Sequence, residues 1–170
     1  SIEGFSNSNI NYYSYTQIMA LLGRLETTVE LKSPADKFYG VFKNTPYDVA
    51  THAPHIHSID LHDTDWDAYG HGSIKTWTYT SEGNVEVYKE RAEYDDANLT
   101  VHFIGVDGHP MKLYKTFHPT IKVEPKGESG SLAKISIDYE KVSPETRDPS
   151  MYIDVMVGFV KATDEALTKA

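Results

Sequence analysis

From Gly23 onward the apolar and polar positions fall into readable periods. Gly23 to Leu31 sets Leu25, Thr27, Val29 and Leu31 against Glu26, Thr28 and Glu30, the alternation of a strand with one dry and one wet face. Ser33-Pro34-Ala35-Asp36 then offers a capping hydroxyl, a proline for the first helical position and an acid for the first turn. A helix is predicted to about Asn44, burying Phe38, Val41 and Phe42. Pro46 to Ala53 predicts a second short helix before Pro54. Six runs rich in branched and aromatic residues follow: Ile59 to Asp63, Ser73 to Tyr79, Val85 to Tyr94, Leu99 to Val106, Met111 to Val123 and Leu132 to Val142. Turn signals separate them, at Gly70 to Gly72, Glu82-Gly83-Asn84, Asp95 to Asn98, Asp107 to Pro110 and Pro125 to Gly130, so neighbouring strands should run antiparallel. Last, Asp148 can cap and Pro149 can open a long helix. In it Met151, Val155, Met156, Phe159, Val160, Thr163 and Leu167 recur at helical spacing.

The order strand, two helices, six strands, long helix describes an α+β domain in which one amphipathic helix covers the dry face of a curved sheet. Periodicity alone leaves two versions open, one with a space between helix and sheet and one with an ordinary packed core.

Composition narrows the class. The chain has 170 residues, 39% hydrophobic and 24% charged, enough for one domain with a real core. Residues 1–18 lack lysine, arginine and any periodic apolar face. They are read as a non-native leader or a flexible arm ahead of Met19, with 19–170 as the folded domain. No apolar run approaches the roughly 20 residues that cross a bilayer, and no basic-then-apolar secretory pattern opens the chain, so a cytoplasmic protein without membrane insertion is expected. Zero cysteines exclude disulfides and thiolate chemistry. A formal net charge of −9 repels phosphate backbones, so nucleic acid is not an expected partner.

Several stretches carry a resemblance. Ile59-Asp60-Leu61-His62-Asp63, Gly70-His71-Gly72-Ser73-Ile74-Lys75-Thr76-Trp77-Thr78-Tyr79, Lys89-Glu90-Arg91, Met111 to Phe117 and Ile137 to Val142 resemble major latex proteins, of the birch pollen allergen and class 10 pathogenesis-related superfamily. The resemblance spans about Met19 to Ala170. It implies a helix-grip fold: a seven-stranded curved antiparallel sheet, two short helices and one long C-terminal helix enclosing a large internal cavity. It further implies a cytosolic carrier of small hydrophobic plant metabolites, in plant defence or specialised metabolism. Some relatives are cofactor-free enzymes of alkaloid or iridoid metabolism.

Sheet parity nominates the lining. Lys75, Trp77 and Tyr79 share one face, as do Val85, Val87, Lys89 and Arg91, and Val101, Phe103 and Gly105. The resemblance places those faces inside, with Phe117, Pro119 and Ile121, and Ala133, Ile135, Ile137 and Tyr139. A bulge in the sixth run would bring His118 or Tyr114 inward instead. Met151, Val155, Met156 and Phe159 complete the wall from the helix. Inward Lys75, Lys89 and Arg91 would need acidic partners or a wet cavity mouth, or else snorkel to the sheet edge. A desolvated lysine could move a proton or form a Schiff base, with Tyr79 and Tyr139 donating to a carbonyl or enolate.

Other motifs point away from special chemistry. The glycine turn at Gly70 to Gly72 lacks the lysine of a phosphate loop and leads into a strand, so it reads as a turn needing positive φ. His52, His55 and His57 lack metal-ligand spacing and a completing carboxylate, so no metal and no cofactor are expected. Glu90, Glu93, Asp95 and Asp96 read as a solvated acidic strand end. Two functions follow: a carrier, as monomer or weak dimer, or a cofactor-free cyclase or isomerase that shapes a reactive intermediate.

Overall fold

The computed structural model describes residues 20–169; the leader or arm expected at 1–18 lies outside them. The elements are β1 (Leu22–Leu31), α1 (Ala35–Asn44), α2 (Tyr47–His52), β2 (Ile56–His62), β3 (Ile74–Ser81), β4 (Asn84–Asp95), β5 (Thr100–Gly108), α3 (Pro110–Leu113), β6 (Tyr114–Lys126), β7 (Gly130–Lys141) and α4 (Ser150–Thr168). The strands form one antiparallel sheet in the order β1-β7-β6-β5-β4-β3-β2. Every strand from β2 to β7 lies beside its sequence neighbour, and β1 closes on β7, with Leu25 opposite Ile137 and Thr27 opposite Ile135.

The two predicted short helices fill one end of the sheet. Phe38 and Phe42 of α1 stack at 5.3 Å, and Phe42 meets Phe103 of β5 at 6.2 Å and Phe159 of α4 at 5.9 Å. These contacts join both layers into one core. Along α4 the residues Met156, Phe159, Val160 and Thr163 are buried, whereas Leu167, predicted on the same stripe, is 40% exposed beyond the sheet. Each large apolar side chain so covered contributes about 1.5 to 3 kcal/mol.

The helix starts differ from expectation. Neither Ser33 nor Asp148 caps a helix; Pro34 and Pro149 occupy the N-cap positions. The Ser33 hydroxyl instead donates to Asp164 at 2.5 Å, and the Asp164 carboxylate also accepts from the backbone N–H groups of Lys32 and Ser33. This ties the start of α1 to the end of α4, more than 130 residues away in sequence. Asp148 accepts from the Tyr139 hydroxyl at 3.0 Å and pairs with Lys141 at 2.8 Å. The single turn α3 stands where the run from Met111 predicts the beginning of a strand; Pro110 suits its first turn. It leads into the bulge between Tyr114 and Thr116, which buries Tyr114 while Phe117, Pro119 and Ile121 keep the inward face.

The parity expected for β4 is corrected. Ser81 pairs with Asn84 across a two-residue turn, so Lys75 faces Glu90, Trp77 faces Tyr88 and Tyr79 faces Glu86. Cross-strand partners share a face. With Lys75, Trp77 and Tyr79 inside, the even positions of β4 must be inside too. Val87, Lys89 and Arg91 therefore point outward, and Val85 is 63% exposed. Glu82 and Gly83 make this turn possible, with φ of 51° and 78°, the left-handed pair that fits the twist of a hairpin.

Candidate ligand-binding site

Between α4 and the sheet lies an apolar cavity of about 50 Å³. Trp77 and Tyr79 of β3, Tyr88 of β4, Phe103 of β5 and Phe117 and Pro119 of β6 form its floor; Tyr152, Val155, Met156 and Phe159 of α4 form its roof, and Ile56 and Pro110 close its sides. The rings are braced by one another: Trp77 lies 5.3 Å from Phe159 and 5.9 Å from Phe103, and Phe117 lies 5.6 Å from Tyr88 and 5.4 Å from Tyr152. At this volume the space is well below the roughly 300 Å³ of an ordinary small-molecule pocket. A guest larger than one or two heavy atoms must displace side chains.

The polar tips of the lining residues are turned out of the cavity. Tyr88 donates its hydroxyl to the Phe103 carbonyl. Tyr79 and Tyr152 both donate to Glu86, at 3.0 and 2.8 Å, and burial pushes both phenols well above the usual tyrosine range. That shared carboxylate ties the first turns of α4 to the β3–β4 hairpin. Arg147, just ahead of α4, pairs with Glu82 at the hairpin tip, giving a second tie. Outside this seam a groove of about 230 Å³ runs past Ser81, Glu86, Arg147 and Met151 and shares Tyr152 with the cavity.

A buried polar cluster lies in the sheet beside the cavity. Lys75 and Glu90 are 1% and 0% exposed, with Nζ 3.5 Å from Oε1. The Trp77 indole N–H donates to Glu90 Oε1 at 2.9 Å, Lys75 donates to the Tyr94 hydroxyl at 3.2 Å, and Tyr94 donates to the Phe42 carbonyl at 3.3 Å. Tyr69, from the loop joining β2 and β3, holds its ring 5.6 Å from the Lys75 ammonium. Desolvation raises the Glu90 carboxyl above the usual range, opposed by Lys75 and the indole. Lys75 thus has the acidic partner its inward position demanded, and Glu90, read from the sequence as solvated, is that partner.

Of the nominated residues, Trp77, Tyr79, Phe103, Phe117, Pro119, Val155, Met156 and Phe159 meet at the cavity. Val101, Ile121, Ile135 and Tyr139 are buried on the same face but serve the packed core, and Met151 borders the outer groove rather than the cavity. Tyr139 donates to Asp148, so its hydroxyl is not aimed at a guest. Sequence reasoning missed Ile56, Tyr88, Pro110 and Tyr152; the hairpin arithmetic would have found Tyr88, and Tyr152 lies one residue off the chosen helical stripe.

The remaining motifs resolve simply. Gly72 has φ of 84° and the chain enters β3 directly after the turn, as expected for a turn rather than a phosphate cradle. His55 contacts the Val155 carbonyl at 2.9 Å and His57 the Thr80 hydroxyl at 2.6 Å; among the described residues no three His, Asp or Glu side chains converge as metal ligands. No described helix is long and apolar enough to cross a membrane.

The profile of the pathogenesis-related protein Bet v 1 family matches residues 20–170. MLP-like protein 28 of Arabidopsis thaliana is 40% identical over 156 residues, covering 89% of this chain but 46% of that relative, so the chain spans about half of its length. MLP-like protein 43 of the same plant is 38% identical over 151 residues, covering 87% of this chain and 94% of the relative. The crystal structure of major latex-like protein 151 from Panax ginseng matches at TM-score 0.81 and 30% identity, over 88% of this chain and 99% of that one. With sequence, strand order and helix placement in agreement, this chain belongs to the pathogenesis-related protein Bet v 1 family, alongside the major latex proteins.

Proposed function

We propose that this chain binds and carries one small hydrophobic plant metabolite between α4 and the sheet. The observation that supports this reading is the lining itself: aromatic rings and Met156 converge on one space while every phenol there is bonded away from it. At about 50 Å³ the space is the closed form of the site. A guest enlarges it by turning Met156, which has three soft torsions, and by lifting the first turns of α4 away from Glu86 and Glu82. Affinity is then the burial gained less the work of opening, which puts it in the micromolar range.

A cyclase or isomerase would need an acid or base facing the guest, and the titratable side chains that line the cavity are the phenols of Tyr79, Tyr88 and Tyr152. The phenols of Tyr79 and Tyr152 are protonated at neutral pH as any tyrosine is, burial raises them further, and both donate to Glu86 rather than to the guest, so neither serves as a base. Titration with Nile red tests the carrier reading. Saturable binding near one site per chain is expected, and no saturable uptake of Nile red or of a panel of fatty acids and terpenoids would overturn it.

A further inference from the structure

Glu90 is buried beside the cavity floor without lining it. On the inner face it sits between Tyr88 and Ala92 along β4 and between Lys75 and Gly105 on the neighbouring strands. Trp77, which donates to it, and Tyr88, two residues back along β4, both line the cavity. Gly105 has no side chain on the β5 side, where the Met111 sulfur and the Tyr88 hydroxyl fill the space instead. Its Oε1 is held by the Trp77 indole, but its Oε2 is fully buried and accepts no hydrogen bond from the protein. A buried carboxylate oxygen without a donor is costly, and such atoms in native proteins call for a partner from outside the chain.

We propose that Glu90 Oε2 and the Lys75 ammonium form a head-group subsite for a hydroxyl borne by the apolar guest. This rests on the carrier reading and names the class of its ligand: a hydrophobic alcohol. The chemistry selects it. Oε2 needs a donor, which a hydrocarbon, ether, ester or ketone lacks. A carboxylate would bring a second negative charge against Glu90, and an amine a second positive charge against Lys75, each without counter-charge in a buried site. A hydroxyl donates to Oε2 while its oxygen accepts from the ammonium, whose placed partner Tyr94 leaves donors to spare. The Trp77 ring, with its face on the cavity and its N–H on Glu90, sets the carboxylate against the apolar body of the guest.

The test compares n-octanol with its isomer heptyl methyl ether, which has the same atoms and no donor, as competitors that displace Nile red. The wild-type protein should bind the alcohol about tenfold or more tightly than the ether, the size of one hydrogen bond to a charged group. Glu90→Gln, which replaces the acceptor Oε2 by an amide donor, should erase or reverse that preference. The double change Lys75→Met with Glu90→Leu should bind both competitors alike, at the affinity the wild type shows for the ether. Equal wild-type affinities would overturn the subsite and leave the carrier reading standing, because Oε2 would then be satisfied by water. A preference that survives in the double variant would overturn it as well. If the dye binds and neither competitor displaces it, the subsite falls and the carrier reading stands; if neither the dye nor the panel of fatty acids and terpenoids binds, both fall. The wild-type comparison decides even if a variant does not fold.

Discussion

Truncation of Phe159 separates a ligand wall from an ordinary core. The ring is 5% exposed and packs 5.3 Å from Trp77 and 5.9 Å from Phe42. Phe→Ala in a close-packed interior costs about 3 to 5 kcal/mol. Here one side of the ring already borders the cavity, so fewer dispersion contacts are lost and the expected loss is about 3 kcal/mol. In a domain of this size that lowers Tm by about 6 to 12 °C. The vacated ring space joins the existing 50 Å³, giving an apolar void of the order that accepts benzene, about 150 Å³. Benzene at about a hundred times its Kd should then return about 2.7 kcal/mol, most of the loss. Thermal unfolding with and without benzene, paired with Nile red titration, reads both effects. A loss of about 5 kcal/mol with no benzene rescue and unchanged dye affinity per folded molecule would refute the argument, because the helix face would then be plain packing.

Asp164→Ala should destabilise by about 2 to 4 kcal/mol in denaturant unfolding, since the carboxylate accepts from Lys32, Ser33 and the Ser33 hydroxyl and its removal strands buried donors. His118 is held below its ordinary value mainly by burial and then by His102, so the unfolded chain protonates first and stability should fall as pH drops through about 6.5. His118→Gln should flatten that slope in Tm measured between about pH 7.5 and pH 5, apart from the loss on further acidification when Asp96 and Asp148, both lowered by lysine hydrogen bonds, take protons. Replacing both Lys75 and Glu90 by apolar residues should leave stability equal or raise it by about 1 to 4 kcal/mol, whereas Glu90→Leu alone should cost about 3 to 5 kcal/mol by stranding a buried ammonium; a double variant as unstable as the single would show that the pair is kept for the fold.

The elements were legible because each carries its own punctuation. Pro34, Pro46 and Pro149 mark helix starts and the glycine and asparagine turns mark strand ends, and among the elements described above the structure adds the α3 turn. The capping groups were not legible. Ser33 and Asp148 have the right chemistry in the right place locally, but Asp164 competes for the first from the far end of the chain and Tyr139 and Lys141 for the second from the end of β7. Local propensity contains no record of such partners. The inward face of β4 was legible and was misread: Val85 and Val87 attract attention as apolar residues, yet they face solvent on a twisted hairpin. Pairing through Glu82 and Gly83 obliges an odd position of β3 to face an even one of β4, and that arithmetic needs only the turn.

The same arithmetic explains why the polar cluster escaped notice. Glu90 stands in a run with Glu93 and Asp95, where composition suggests a wet strand end, and burying a carboxylate is the costliest reading of any acid. Only a partner makes it tolerable, and Lys75 becomes that partner solely through the cross-strand register that sets the two residues opposite each other. Neither side chain alone announces burial. Together they offset each other's desolvation, but a pair of this kind seldom stabilises a fold beyond what apolar residues of equal size would do. Its persistence under a cavity floor of aromatic rings, with one carboxylate oxygen left unbonded, is therefore better accounted for by what the cavity receives than by what the sheet requires.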